Sequence, residues 1–188
     1  MKSKSIELTA SDALLLVDVQ NDFCPGGALP IPEGDTVVPV LNVWIRKAVQ
    51  QGVPVFASRD WHPREHLSFQ ERGGEWPPHC IQNSDGAAFH PDLNLPDHVI
   101  IVTKGVRFDQ DQYSALDQTG LADEMQRRGI QRLLIGGLAQ DVCVRATVLD
   151  ACKAGFEVLL ITDGTRPVTQ TGGDEANKEM EQAGARLI

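Results

Sequence analysis

Leu133-Leu134-Ile135-Gly136-Gly137-Leu138-Ala139-Gln140-Asp141-Val142-Cys143-Val144-Arg145-Ala146-Thr147 is a strand, a turn and a helix in immediate succession. The apolar run Leu133–Ile135 suits a strand buried on both faces. Gly136 and Gly137 break it, a short polar loop follows, and an apolar helical pattern resumes at Val142. This spacing puts Cys143 at about the first turn of a helix. A helix N-terminus carries unpaired N–H groups and partial positive charge. A thiol there is expected to have its pKa lowered toward the nucleophilic thiolate. Cys143 is therefore a candidate nucleophile, and the alternative is a small buried hydrophobe, as most free cysteines are.

The same grammar recurs outward from this stretch. Ala13–Val17 is an apolar run ending at Asp18, Val53–Ser58 runs into Asp60, and Val99–Thr103 ends at Lys104. Phe156–Thr162 ends at Asp163, and Ala185–Ile188 reads as a last short strand. Helical spacing appears over Asp35–Gln51 (Val37, Val40, Leu41, Trp44, Ile45, Ala48), Leu121–Arg128, Val142–Lys153 and Gly172–Ala183. Strands alternating with helices predict an α/β domain, doubly wound, with a mostly parallel six-stranded sheet and helices on both faces in three layers. One domain spans 1–188, with a loop-rich, His- and Pro-containing segment at about 60–97. A segment this long without periodicity is usually functional or disordered, and its tryptophans and histidines argue for function. No GxGxxG follows the first strand, which argues against a dinucleotide site.

Composition narrows the classes further. The 188 residues carry 17 Lys and Arg against 26 Asp and Glu, a net charge of −9, and no basic patch of the kind nucleic-acid binders use. Cys24, Cys80, Cys143 and Cys152 contain no CxxC pair, which points to a reducing compartment rather than a disulfide scaffold. Met1–Thr9 is polar and lacks a signal-peptide apolar segment. No apolar run approaches the roughly 20 residues that span a bilayer. A cytoplasmic protein acting on neither nucleic acid nor membrane is expected, and homo-oligomerisation is left open.

In open parallel sheets, ligands sit beyond the carboxyl ends of the strands. Asp18, Asp60, Lys104, Cys143 and Asp163 all follow predicted strands. Asp18, Lys104 and Cys143 make a coherent set. The thiol would attack a carbonyl, Asp18 would take its proton and pass it to the leaving group, and Lys104 would steady both charges. Backbone N–H groups of Ala139 and Cys143 would form the oxyanion hole. A second set is Asp60, His62, His66 and His79. Imidazoles with a carboxylate suit zinc, manganese or iron, and three of the five histidines lie in this short window. Metal binding and a surface loop of satisfied histidines both remain open at this point. Cys80 is a poorer donor beside a carboxylate, and His90 and His98 read as structural. Phe23, Trp61 and Trp76 flank these groups and could sandwich a flat ligand.

Together the motifs resemble one family. Leu14-Leu15-Leu16-Val17-Asp18-Val19-Gln20-Asn21-Asp22-Phe23 and Asp60-Trp61-His62-Pro63 with His66 and Ser68-Phe69 are similar to the nicotinamidases. So are Trp76-Pro77-Pro78-His79-Cys80, Lys104-Gly105, Tyr113-Ser114 and GGLAQDVCVRAT (136–147). These belong to the isochorismatase-like, or cysteine hydrolase, superfamily. The resemblance runs from about Ala13 to the C-terminus, and the metal loop selects the nicotinamidase and pyrazinamidase branch. It implies Cys143 as nucleophile, Asp18 and Lys104 as its partners, and Ala139 with Cys143 at the oxyanion. It implies Phe23 and Trp76 as ring-binding aromatics and a cis bond at Leu138–Ala139. It further implies one divalent metal, zinc first with iron or manganese as alternatives, on Asp60, His62 and His79, with His66 a further ligand in some members. The implied reaction is hydrolysis of nicotinamide to nicotinate and ammonia in NAD salvage, with pyrazinamide as a related substrate. Two rivals stand beside it: a superfamily hydrolase acting on a carbamoyl or ureido amide, and a non-catalytic metal-binding protein on the same fold.

Overall fold

Each apolar run becomes a strand, and each amphipathic segment a helix, in the computed structural model, which describes residues 6–188. The reading of Met1–Ser5 as part of a polar, leaderless segment lies outside the described residues. The strands are β1 (Asp12–Val17), β2 (Val55–Asp60), β3 (Ile100–Lys104), β4 (Arg132–Leu138), β5 (Glu157–Arg166) and β6 (Arg186–Leu187). The helices are α1 (Val37–Gln50), α2 (Leu121–Arg127), α3 (Arg145–Lys153) and α4 (Gln170–Gln182). The strand order is β3-β2-β1-β4-β5-β6. Every pairing is parallel, where a mostly parallel sheet was expected.

Side-chain alternation divides the core into two layers. Ala13, Leu15, Val17, Leu133 and Ile135 pack with Leu121, Met125, Val148 and Met180 of the helices α2, α3 and α4. Leu14, Leu16, Val55 and Leu134 pack with Val37, Leu41 and Ile45 of α1 on the opposite face. All six residues of β1 are buried, which is why its sequence from Ala13 to Val17 is a continuous apolar run rather than an alternating one.

The order of strands reverses between β1 and β4, and the chain makes a crevice beyond the carboxyl ends there. Gly137 permits it. Its φ is +134°, and a Cβ at this position would lie 2.0 Å from the Val17 carbonyl oxygen. Past Leu138 the chain does not enter an α-helix directly. Gln140–Val144 form a π-helical turn, and α3 starts only at Arg145. Cys143 thus sits in a π turn, a feature frequent at functional sites, rather than in the first turn of an α-helix.

Between β2 and β3 the chain has only two short 3₁₀ turns, Gln70–Arg72 and Asp85–Ala87. Buried side chains from just after β1 hold it. The Gln20 amide accepts from the Asp60 N–H at 2.8 Å and donates to the carbonyls of Asp60 at 2.8 Å and Ala87 at 2.9 Å. The Asp22 carboxylate accepts from the N–H groups of Ala28 at 3.0 Å and Cys80 at 2.7 Å. Among the described residues no helix is long and apolar enough to cross a membrane.

Candidate active site

Four adjacent strand ends deliver the sequence-predicted groups to one place. Asp18 follows β1 with φ +50°, a left-handed conformation that Asp tolerates better than most residues. Asp60 and Lys104 end β2 and β3, and Cys143 follows β4. The Lys104 ammonium is completely buried. It lies 2.8 Å from Asp18 Oδ2 and 2.6 Å from Asp60 Oδ1. It also donates to Cys143 Sγ at 3.4 Å and to the Gln112 carbonyl at 3.4 Å. The Ser58 hydroxyl donates to Asp18 Oδ1 at 2.7 Å. Donor atoms of Asp18, Asp60 and Cys143 all lie within 4.8 Å of one another.

Burial and charge pull against each other at every member. Burial alone would depress the Lys104 pKa, but Asp18 and Asp60 overcome it, and the ammonium stays charged well above its ordinary range. Burial would raise Asp60, but Lys104 and then His62 hold its carboxyl far below the usual carboxylate range. At Asp18 burial wins over Lys104, and its pKa is raised. Burial likewise pushes the Cys143 thiol well up against the pull of Lys104, with Asp18 and Asp60 adding to the rise. The expected lowering of this thiol is therefore overturned. Burial is the main cause, the two carboxylates add to it, and Lys104 alone opposes them.

Asp60 also faces the second set. Donor atoms of Asp60, His62 and His79 lie within 4.8 Å of one another, all three residues buried. His62 Nδ1 is 2.9 Å from the Gly105 carbonyl and His79 Nδ1 is 2.8 Å from the Pro77 carbonyl. A carbonyl only accepts, so each ring is assigned its proton on Nδ1, which leaves Nε2 as the atom for a metal. At His62 that atom lies 3.6 Å from Asp60 Oδ2, and against the lowering effect of burial this carboxylate raises the His62 pKa. Histidines that ligate metals are commonly held in this way, and one ionised carboxylate with two such imidazoles fits a divalent ion. Gly105 is required for this packing. With φ +70°, its Cβ would meet His62 Cε1 at 2.5 Å. His66 falls in a second, overlapping grouping with His62 and Asp111, its ring 4.4 Å from that of His62.

A cavity opens over both sets. Phe23, Trp76, Ala139 and Cys143 line it, as anticipated, together with Asp60, His62 and His79. The Leu138–Ala139 peptide bond is cis. Trp61 does not line the cavity, and its ring instead carries the Arg59 guanidinium at 4.0 Å. Several contributors were not singled out from sequence. Asp111, Gln112 and Tyr113 enter from the loop after β3. Trp76 Nε1 donates to the Tyr113 hydroxyl at 3.1 Å, joining the two loops. Only the Tyr113-Ser114 motif hinted at that loop, which has no hydrophobic periodicity to mark it.

Comparison with known proteins agrees with this geometry. Residues 12–188 match the model of the isochorismatase domain. The nicotinamidase of Escherichia coli is 43% identical, over 93% of this chain and 93% of that protein. The crystal structure of the pyrazinamidase of Pyrococcus horikoshii in complex with zinc is 44% identical. It superposes with a TM-score of 0.92 over 95% of this chain and 98% of that one. An L. infantum protein solved in complex with nicotinate is 36% identical, with a TM-score of 0.89 over 97% and 95% of the two chains.

Proposed function

The chain belongs to the isochorismatase-domain family, and from that premise we propose that its cavity hydrolyses nicotinamide to nicotinate and ammonia, with pyrazinamide as a second substrate. The observation that carries the reading is the single buried ammonium of Lys104 in contact with Asp18, Asp60 and Cys143 beneath the cavity. Such a cluster serves a cysteine amidase and has little use in a binding module.

Asp18, its pKa raised by burial and its carboxylate within 4.8 Å of the Cys143 sulfur, is placed to take the Cys143 proton. The thiolate then adds to the amide carbonyl, and the developing oxyanion is held by the N–H groups of Ala139 and Cys143. The protonated Asp18 returns its proton to the amide nitrogen as the C–N bond breaks, and ammonia leaves a thioester on Cys143. A water then loses a proton to Asp18 and adds to the thioester. Collapse releases nicotinate, and the proton returns to the sulfur. Lys104 stays charged throughout and stabilises whichever partner bears the negative charge. Phe23 and Trp76 flank the ring.

Asp60, His62 and His79 would hold the metal, which supplies a Lewis-acid anchor for the end of the substrate remote from the amide. Zinc is the first assignment, as in the Pyrococcus horikoshii structure, and iron and manganese suit the same donors. The chain acts as one catalytic domain, with the segment at about 60–97 as its metal-binding insertion. We place the reaction in NAD salvage in the cytoplasm, a compartment that suits four free cysteines.

The test is ammonia release from nicotinamide and pyrazinamide, with and without a chelator. Turnover of both, lost on Cys143→Ala with the fold intact, is expected. Appreciable hydrolysis by that variant would refute the thioester route. Turnover unaffected by complete removal of metal would refute the anchor.

A further inference from the structure

His66 is completely buried, yet its Nε2 meets no hydrogen-bond partner among the described residues. The Arg107 carbonyl lies near the ring and acts to raise its pKa, but it makes no hydrogen bond with Nε2. An unsatisfied buried polar atom costs about 1–3 kcal/mol, so it needs a reason. A free lone pair for a metal is one reason, and the resemblance offers His66 as a further ligand. The bonds at the other ring nitrogen argue against it.

The Ser68 backbone N–H donates to His66 Nδ1 at 3.3 Å. An N–H cannot accept, so Nδ1 is the acceptor. The Ser68 hydroxyl, 2.7 Å from the same atom, adds a second donor. A neutral imidazole that accepts at Nδ1 carries its proton on Nε2. His62 and His79 are assigned the opposite way, with Nδ1 facing a carbonyl; Nε2 of His62 lies 3.6 Å from Asp60 Oδ2, its partner in the metal set. The three buried histidines are thus of two chemical kinds. Two present lone pairs, and His66 presents a proton.

His62, His66 and Asp111 have donor atoms within 4.8 Å of one another, and the rings of His62 and His66 are 4.4 Å apart. Asp111 lines the cavity. A cation there would need lone pairs from all three, and His66 has none to give. A water needs a donor and an acceptor, and His66 Nε2–H and the Asp111 carboxylate supply them. We propose that His66 is a positioning residue and not a metal ligand: with Asp111 it holds water beside His62 and so orders the solvent around the metal. This rests on the metal assigned above to Asp60, His62 and His79.

The test is ¹⁵N NMR of the histidine side chains in the metal-free protein, with His66→Gln to assign the signals. The expected result is a proton on Nε2 of His66 and on Nδ1 of His62 and His79. Zinc should then shift His62 and His79 and leave His66 protonated on Nε2. A proton on Nδ1 of His66 in the metal-free protein, or loss of the Nε2 proton when zinc is added, overturns the proposal. If zinc moves no histidine signal, the metal assignment fails instead, while the metal-free spectrum still decides whether His66 is a donor. Zinc affinity by chelator competition gives a second readout. His66→Ala should weaken binding by about 10–100-fold, and His66→Gln, which keeps an N–H donor, should recover most of it. Equal losses in the two variants overturn the proposal.

Discussion

At the residue scale, Lys104 is the group on which the others depend. Its ammonium lies between two buried carboxylates, 2.8 Å from Asp18 and 2.6 Å from Asp60. Lys104→Met keeps the bulk and removes the charge, leaving two like charges facing each other without water. Breaking a buried ion pair in this way costs about 3–5 kcal/mol. Denaturant titration at neutral pH should show a loss of that size. The deficit should shrink as pH falls and the unpaired carboxylates become protonated. A variant as stable as the parent at pH 7 would show that the charges are better solvated than their burial indicates. Asp18 carries a separate prediction. It must be ionised to accept the thiol proton, and burial raises its pKa. As pH falls through that raised value the base is lost. The acid limb of kcat/KM should therefore lie above the ordinary Asp value of about 4, measured with metal content held constant at each pH. An acid limb at or below that value would remove Asp18 as the base. Asp18, Lys104 and Cys143 were legible in sequence because each ends or follows an apolar run. The direction of the Cys143 shift was not legible, because it depends on which charges the fold brings around the thiol.

At the scale of elements, the loop after β3 couples the two halves of the site. The Gly105 carbonyl accepts from His62 Nδ1 at 2.9 Å, and its N–H donates to Gln112 Oε1 at 3.1 Å. Gln112 in turn gives its own carbonyl to Lys104 and donates to the Asp117 carbonyl at 2.7 Å. Gly105→Ala would press a methyl against the His62 ring at a positive φ. The expected outcome is weaker zinc binding, by about 10-fold or more through the disturbed support of His62, with the far-UV spectrum unchanged. Zinc affinity within twofold of the parent would refute the coupling. This loop was the least legible part of the chain. Its residues follow neither a period of 2 nor one of 3.6, and its shape is set by Gln112 and Gly105 reaching site atoms. The strands and helices, by contrast, were found in order, because a sheet covered on both faces needs continuous apolar runs and its helices need one apolar stripe. The π turn holding Cys143 falls between these cases. Ala139 accepts from the Val144 N–H at 3.0 Å across five residues, an alternative to α-helical pairing that the local sequence does not announce.

For the whole molecule, the division between scaffold and site predicts what metal removal does. The two apolar layers on either face of the sheet are built mainly from its strands and helices, with Cys80, Ala87 and Leu93 of the segment after β2 packed into one of them. The donors Asp60, His62 and His79 sit at the carboxyl end of β2 and in the segment that follows it. Folding is therefore secured by burial of strands and helices, and the metal binds a frame already formed. This is the opposite of small metal domains whose folding free energy is the binding free energy. Chelation should leave far-UV circular dichroism and a cooperative unfolding transition in place while abolishing turnover of nicotinamide. Adding back zinc should then stabilise only by mass action. Free zinc at 100 times its Kd contributes about 2.7 kcal/mol, which for a chain of this length corresponds to a rise in Tm of roughly 5–11 °C. The rise should continue with the logarithm of zinc concentration and fall away in a His62→Ala variant. A metal-free protein with no cooperative transition would mean that folding depends on the metal, and the separation of frame from site would fail.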